Sequence, residues 1–192
     1  LGYRSMSFFP SVGSDQNVIF YSSYGKDGST GLDLYSSKRL PNGDWGDAQK
    51  LPEHINTPYD DAYGFLHSSG TVFYFCSEGH NSMGGYDVFK CNYDIASNTF
   101  SAPINLDYKI NTPDDDIMYV VDEEQKNAYF ASTRAAPGGY IDVYKVRVKS
   151  IPIVNVLLSG TFDNQVFEDD QAIIKVQDTR NNEIISIATP DK

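Results

Sequence analysis

The chain has 192 residues, 40% of them hydrophobic and 14% aromatic, so it is long enough to bury a core and too apolar for a disordered protein. Its 15 basic and 26 acidic residues give a net charge of −11, which disfavours nucleic acid and anionic membrane surfaces as partners. No run of about 18 apolar residues is present, so we expect no direct insertion into a membrane.

One pattern occurs three times along the chain. A strand that ends in Ser is followed by a Gly-rich turn and by a second strand that opens with Asp. The serines are Ser23, Ser77 and Ser132, and the aspartates are Asp33, Asp87 and Asp142. The copies are 54 or 55 residues apart, and each Asp follows its Ser by 10 residues. A fixed period of this size predicts an array of equivalent supersecondary units.

Each unit is predicted to contain four short strands, A to D, in chain order. Strand A is expected over 6–10, 62–66 and 117–121, strand B carries the Ser, and strand C carries the Asp. Strand D is expected near 44–49 and 98–102 and is missing from the third unit. Short strands bounded by Gly, Asn, Asp or Pro favour the four-stranded antiparallel blades of a β-propeller.

The predicted fold class is therefore all-β, with an incomplete β-propeller over residues 1–149. Fewer than three complete blades cannot close, because closed propellers need roughly four to eight blades. We expect further blades upstream of residue 1, and we expect the outer strand of the third blade to come from that side. The total number of blades is left open.

The period fails beyond the predicted boundary at Lys149–Pro152. Three further strands are expected, over 154–162, 171–178 and 183–189. Three strands in so short a segment predict half of a small β-sandwich, so residues 150–192 are interpreted as the N-terminal part of a truncated second domain.

The repeated aspartates are the first candidates for a site. An Asp that follows a Gly-rich turn can accept hydrogen bonds from turn amides and fix the register of the hairpin. A catalytic Asp would be needed once, whereas Asp33, Asp87 and Asp142 occur in every unit. A structural role is favoured, and a metal-binding or catalytic role is the alternative.

A second polar block, Ile-Asn-Thr-Pro followed by aspartates, precedes strand A in two units. Strand A is the innermost strand of a blade, so these residues would line one mouth of the central channel and could hold a cation or a basic peptide segment. The alternative is that they cap the adjacent turn. No Asp-x-Asp-x-Asp-Gly calcium loop is present. The candidates are Asn56, Thr57, Asp60, Asp61, Asn111, Thr112, Asp114, Asp115 and Asp116.

Little in the sequence points to catalysis. The only histidines are His54, His67 and His80, and neither Gly-x-Ser-x-Gly nor His-Glu-x-x-His occurs. We expect no catalytic residue, no metal and no cofactor in this chain. Cys76 and Cys91 lie on the two strands of one predicted hairpin, either as two half-buried thiols or, in an oxidising compartment, as a disulfide.

The repeat resembles a known family. Phe-Tyr-Phe-x-Ser at 73–77, Gly-Gly-Tyr-Asp-Val-Phe at 84–89 and the segments at 100–106 and 110–115 look like the TolB-like, WD-repeat-like β-propeller repeat of bacterial envelope proteins. The resemblance covers about residues 6 to 148. Residues 156–192 resemble the opening of a carboxypeptidase-regulatory-like domain.

This order of domains resembles OmpA-family envelope proteins of the PorE type. The resemblance implies a periplasmic, outer-membrane-associated scaffold of the type IX secretion and gliding machinery. Its partners would be other envelope and secretion proteins, with peptidoglycan bound through a domain outside this chain. Two alternatives stay open: a propeller that senses a glycan or peptide, and the non-catalytic propeller of a peptidase.

Overall fold

The computed structural model describes residues 7–13, 16–25, 31–134 and 139–148, and the backbone of two strands at 174–177 and 184–188. The chain divides into two compact units, Leu1–Ser150 and Ile151–Lys192. Every regular element in the described ranges is a β-strand. None of these ranges contains a helix that is long and apolar enough to cross a membrane.

The first unit consists of three antiparallel sheets, which we call blades 1, 2 and 3. Blade 1 contains β1 (Ser7–Val12), β2 (Val18–Ser23), β3 (Asp33–Lys38) and β4 (Gln49–Lys50). Blade 2 contains β5 (Asp61–Leu66), β6 (Val72–Ser77), β7 (Asp87–Asp94), β8 (Thr99–Phe100) and β9 (Ile104–Asn105). Blade 3 contains β10 (Asp116–Val121), β11 (Asn127–Ser132) and β12 (Asp142–Arg147). In each blade the predicted strands A, B and C lie side by side in chain order.

Strand D differs from the prediction, because it is interrupted in both blades that contain it. In blade 2, β8 and β9 pair with different parts of β7 and are separated by residues 101–103. Pro103 has no amide hydrogen, so it cannot continue the ladder. In blade 1 the same break leaves an isolated bridge between Arg39 and Trp45, followed by the two-residue β4.

Strand A carries a β-bulge in every blade, which the sequence did not predict. The register shifts between Phe8 and Ser11 in blade 1, and the other two blades shift at the equivalent place. One non-glycine residue within each bulge has a left-handed backbone. These residues are Phe9 (φ 52°), Tyr63 (φ 56°) and Met118 (φ 57°). A bulge bends a strand and increases its twist, so the innermost strand of each blade is bent at the same position.

The core of the first unit lies between the faces of the blades. One hydrophobic cluster joins blades 1 and 2 and includes Phe20, Leu34, Phe73, Phe75 and Phe89. A second cluster joins blades 2 and 3 and includes Tyr74, Cys76, Val88, Ile117 and Phe130. Since alternate residues of β6 and β7 belong to different clusters, blade 2 is buried on both faces.

The two cysteines lie on opposite faces of blade 2. Cys76 belongs to the cluster between blades 2 and 3, and Cys91 belongs to the cluster between blades 1 and 2. Both are free and buried. The disulfide alternative is therefore not realised, and burial raises the pKa of each thiol to about 12.

In the second unit the structure describes the backbone of two strands, β13 (Ile174–Gln177) and β14 (Ile184–Ala188). They pair antiparallel, with Ile174 opposite Ala188. They fall within two of the three segments predicted to be strands, and the predicted strand at 154–162 lies outside the described residues. The assignment of 150–192 to a carboxypeptidase-regulatory-like domain stays a prediction.

Candidate functional site at the loop end of the blades

The repeated polar residues gather at one end of the first unit. Because A, B, C and D alternate in direction, the B–C turns and the loops that lead from D to the next A lie at the same end of the blades. We call this the loop end, formed in the described chain by residues 51–60, 78–86 and 106–115. Backbone hydrogen bonds tie its parts together, including Asp61 N to Leu32 O at 2.7 Å and Glu78 N to Asp60 O at 3.0 Å.

The three repeated serines close the turn that follows strand B. Each hydroxyl oxygen accepts a hydrogen bond from the amide two residues further on, which is the geometry of a side-chain turn cap. The pairs are Ser23 with Gly25 (3.2 Å), Ser77 with Gly79 (2.9 Å) and Ser132 with Arg134 (3.1 Å).

The repeated Asp connects strand C to strand D in blades 1 and 2. Asp33 forms an ion pair with Lys50 at 2.7 Å, and Asp87 accepts a hydrogen bond from Asn105 Nδ2 at 3.0 Å. Lys50 and Asn105 hold the same position of the repeat, 55 residues apart. Asp87 also accepts from the Met83 amide at 2.8 Å. Burial raises the pKa of Asp87, and these hydrogen bonds oppose the shift.

Asp142 has a different environment from its two counterparts. It opens β12, which is the edge strand of the described blade 3, and it is exposed, whereas Asp33 and Asp87 are buried. Burial of the repeated Asp therefore follows the presence of strand D. The functional role of all three aspartates stays a prediction.

The Asn of the Asn-Thr-Pro block is buried against strand C of the preceding blade. Asn111 Oδ1 accepts from Val88 N at 2.8 Å, and its Nδ2 donates to Val88 O at 2.9 Å. Asn56 makes the same two contacts with Leu34, at 2.8 and 3.0 Å. A side-chain amide that bonds both backbone groups of one residue imitates a neighbouring strand, so each Asn extends the sheet sideways.

The Thr of the block caps the start of strand A. Asp61 Oδ2 accepts from the amide and the hydroxyl of Thr57, at 2.5 and 3.0 Å. Asp116 Oδ2 accepts the same pair from Thr112, at 2.6 and 2.8 Å. Burial raises the pKa of Asp61, while hydrogen bonds from Ser77 and Thr57 act against the shift.

Asp60 and Asp115 join consecutive blades through the turn before strand C. Asp60 Oδ1 accepts from Leu32 N at 2.7 Å, and Asp115 Oδ1 accepts from Tyr86 N at 3.0 Å. These carboxylates come so close that a Cβ on Gly85 would lie 2.1 Å from Asp115 Oδ1. The neighbouring blade therefore requires a glycine at this position, two residues before Asp87.

Six acidic side chains of the loop end remain at least partly exposed, and two of them are Glu53 and Asp107. The other four directly precede β5 or β10 or directly follow β6, and we call them the acidic patch: Asp60, Glu78, Asp114 and Asp115. Burial, followed by the negative charges of Asp60 and Asp115, raises the pKa of Glu78, which shows that three members share one electrostatic environment. Sequence analysis missed Glu78, although its place directly after Ser77, at the start of the turn, was a signal.

The other candidates for a channel-mouth site are less accessible. The buried ones are Asn56, Asp61, Asn111 and Asp116, and the half-buried ones are Thr57 and Thr112. All six bond within the protein as described above. Among the described residues, no group of three or more His, Cys, Asp or Glu side chains is arranged to hold a metal ion. Asp60, Asp114 and Asp115 are the candidate carboxylates that remain at least partly exposed, and the binding role of all nine candidates stays a prediction.

Each histidine has a ring nitrogen within hydrogen-bond distance of a backbone carbonyl from another part of the chain. The pairs are His54 with Phe100 (3.0 Å), His67 with Asp122 (3.1 Å) and His80 with Ile55 (2.9 Å). Since a carbonyl oxygen only accepts, the histidine nitrogen is the donor in each pair. His67 Nδ1 also accepts from the Ser69 amide at 3.1 Å, within the tight turn between strands A and B.

Comparison with known proteins finds structures with a similar fold but identifies no family. No family model and no curated protein sequence matches the chain. TolB from Acinetobacter baumannii is similar in structure, with 13% identity and a TM-score of 0.52 over 77% of this chain and 31% of that one. A protein assigned as TolB from Agrobacterium tumefaciens has 12% identity and a TM-score of 0.50 over 76% of this chain and 47% of its own.

A third similar structure, the tricorn protease, has 11% identity and a TM-score of 0.41 over 84% of this chain and 16% of that one. The chain thus spans less than half of each of these three proteins. Together with the three stacked antiparallel blades, the two TolB structures confirm the predicted fold class: the first unit has the fold of part of a TolB-like β-propeller.

Proposed function

We propose that the chain is a non-catalytic protein-interaction module of the bacterial periplasm. The observation that carries this proposal is how the repeat uses its polar residues. Hydrogen bonds from the repeated Ser, Asn and Thr side chains join turns, strands and blades. The buried aspartates of blades 1 and 2 do the same through hydrogen bonds or ion pairs. Residues used in this way make the fold rigid. The structural likeness to TolB, which has the same architecture, supports the proposal.

The surface that we propose for the partner is the acidic patch. Its four side chains lie on the loop end, beside strand A, and the whole chain carries a net charge of −11. Opposite charges raise association rates and suppress wrong partners, so the matching surface should be a basic segment of another protein. The contacts of Asp60 and Asp115 with backbone amides hold their carboxylates in place, which reduces the entropy lost on binding.

A finer proposal concerns the complex in which the module works. We propose an outer-membrane-associated assembly tethered to peptidoglycan, with the type IX secretion and gliding machinery as the specific candidate. The order of a propeller followed by a regulatory-like domain is the support for this step. The peptidoglycan-binding group would belong to a domain outside this chain.

The test is a mild crosslinked pull-down of the full-length parent protein from native envelopes, analysed by mass spectrometry. The proposal predicts recovery of envelope proteins, with crosslinks near residues 60, 78, 114 and 115. Recovery of outer-membrane secretion components together with peptidoglycan fragments would support the finer proposal. Recovery of the protein alone, free of cell wall, would contradict both and favour a propeller that senses a glycan or peptide.

A further inference from the structure

The end of blade 2 is the most complete part of the loop end, because described blades pack against both faces of this blade. The last rung of its sheet joins β5, β6 and β7 through Asp61, Ser77 and Asp87. The loops that continue these three strands therefore start side by side.

The next residues beyond this rung form a row across the loop end, made of Asp60, Glu78 and Tyr86. The Glu78 amide donates to Asp60 O at 3.0 Å, so a backbone hydrogen bond holds two of them together. Residues that lie directly opposite each other in an antiparallel sheet have their side chains on the same face. Cys76 and Val88, two residues away in β6 and β7, face blade 3, so the row faces blade 3 as well.

Blade 3 adds a further carboxylate to this row. Asp115 Oδ1 accepts from the Tyr86 amide at 3.0 Å, and the Asp116 amide donates to Tyr86 O at 2.7 Å. Both backbone groups of Tyr86 are thus bonded to the start of blade 3. Burial, followed by the negative charges of Asp60 and Glu78, raises the pKa of the Tyr86 hydroxyl, which agrees with their places in the row.

A second tyrosine lies beside the row. Tyr63 is the left-handed residue of the bulge in β5, and its side chain packs against the cluster between blades 2 and 3. Its ring centre lies 5.7 Å from that of Tyr86, and the two ring planes meet at 81°. Both side chains are half-buried, so each remains partly open to solvent. We call these two rings and the three carboxylates beside them the tyrosine site: Tyr63, Tyr86, Asp60, Glu78 and Asp115.

The tyrosine site carries negative charge that no salt bridge neutralises. Of the three salt bridges among the described residues, none involves Asp60, Glu78 or Asp115. Burial, followed by the charges of Asp60 and Asp115, raises the pKa of Glu78, so the three carboxylates repel one another. A positive charge placed between them would relieve this repulsion.

Blade 3 shows how this fold holds a positive charge among such groups. The guanidinium of Arg134 bonds Asp116 Oδ1, and its carbon lies 4.9 Å from the ring centre of Phe130 and 5.2 Å from that of Tyr144. Two rings and a carboxylate thus surround one cation. The tyrosine site lies at other positions of the repeat and presents the same kinds of group towards solvent.

We propose that the tyrosine site binds an arginine side chain of the partner protein. This inference rests on the proposed function, because the arginine would belong to the basic segment that the acidic patch attracts. A guanidinium is planar, so it stacks on a Tyr ring while its N–H groups bond carboxylates. A lysine ammonium is a compact and strongly hydrated point charge. The site should therefore prefer arginine to lysine, and lysine to a neutral side chain with the shape of arginine.

The first test uses three peptides that differ in one side chain. They are acetyl-Gly-Arg-Gly-amide and its versions with lysine and with citrulline, which is neutral and has the shape of arginine. Each is titrated into the isotope-labelled 192-residue chain, and NMR follows the amides of Glu78, Tyr86 and Asp115. We expect saturable shifts with the arginine peptide, weaker binding of the lysine peptide and no shift with citrulline. Equal shifts with citrulline, or none with arginine, would overturn the proposal.

The second test is partner capture by variants of the full-length parent. Tyr86→Leu removes one ring and leaves the acidic patch intact, so capture should fall about three- to tenfold, as expected for one cation–π contact. Tyr86→Phe keeps the ring and should restore most of the loss. The matched control is Tyr108→Leu, because Tyr108 is a 75% exposed tyrosine of the loop end outside the tyrosine site. This control should leave capture unchanged.

The outcomes separate this inference from the proposed function. Loss of capture with Glu78→Gln and Asp114→Asn, but not with Tyr86→Leu, would overturn the inference and leave the proposed function in place. Unchanged capture in all these variants would contradict both. If Tyr86→Leu does not fold, the preference for the arginine peptide over the citrulline peptide decides the question by itself.

Discussion

Blades 2 and 3 share one sequence pattern and differ in their surroundings. Val88 and Val143 are equivalent, directly after the repeated Asp, yet Val88 is fully buried and Val143 is 76% exposed. Asp87 is likewise buried and bonded to strand D, whereas Asp142 is exposed on an edge strand. The repeat therefore determines the hairpin. Neighbouring strands and blades determine how deeply each residue is buried and hence how much it contributes to the free energy of unfolding.

The largest single loss of stability is expected at a glycine of the B–C turns. A Cβ at Gly84 would lie 2.0 Å from the backbone oxygen of Pro113, in the loop that leads to blade 3. Gly84→Ala should therefore lower the free energy of unfolding by about 3 kcal/mol, the upper range for overpacking. At Gly139 a Cβ would meet nothing within 4 Å, although φ is 75°. Gly139→Ala should cost about 1 to 2 kcal/mol, the penalty of a left-handed backbone alone. Urea denaturation of both variants measures the difference, and equal losses would contradict the close contact.

The two valines give a matched comparison of packing. Val88→Ala should lower the free energy of unfolding by about 2 to 3 kcal/mol, because it removes two methyl groups from a core between two blades. Val143→Ala should change it by less than about 0.5 kcal/mol, as expected for a surface site. Thermal and urea unfolding of the 192-residue chain would check both. A similar cost at Val143 would show that another part of the protein covers blade 3.

The repeated aspartates should differ by less. Asp87→Ala removes the acceptor for the Met83 amide and for Asn105, so we expect a loss of about 1 to 2 kcal/mol. Asp142→Ala should be neutral within about 0.5 kcal/mol. Partner capture by Asp87→Ala should be unchanged at temperatures where the variant is folded. Loss of capture at an unchanged melting temperature would instead show that Asp87 contacts a ligand.

The smallest effect is expected at the cysteines, where the native protein should show no thiol chemistry. Cys76 and Cys91 are buried, and each thiol has a pKa of about 12, so the fraction of thiolate at pH 8 is very small. Ellman's reagent should label neither residue before unfolding and both afterwards. Labelling of folded protein would show that one face of blade 2 opens in solution.

Sequence reasoning predicted what the repeat itself encodes. Spacing and turn residues predicted the positions of strands A, B and C and the Ser and Asp pairs. They also predicted a third blade without strand D, and none is found there among the described residues. The left-handed residues in the bulges could not be predicted, because Phe9, Tyr63 and Met118 have no shared side-chain chemistry.

The candidate site was predicted only in part, because the sequence shows repetition but not contacts between blades. The Asp-rich loops were identified from their repetition, but the sequence did not distinguish buried Asp61 and Asp116 from accessible Asp60 and Asp115. These neighbours alternate because successive residues of an extended chain point to opposite sides. The side that faces the protein is fixed by the preceding blade, which the local sequence does not describe.

The central claim is that the loop end binds a protein partner, and capture by matched variants tests it most directly. Glu78→Gln with Asp114→Asn neutralises two exposed members of the acidic patch, while Glu123→Gln with Glu124→Gln removes two exposed charges from the opposite end of blade 3. In the full-length parent, the first pair should reduce recovery of crosslinked partners at least severalfold, and the second should leave it unchanged. Equal recovery with both pairs, or a loss confined to the second pair, would contradict the claim.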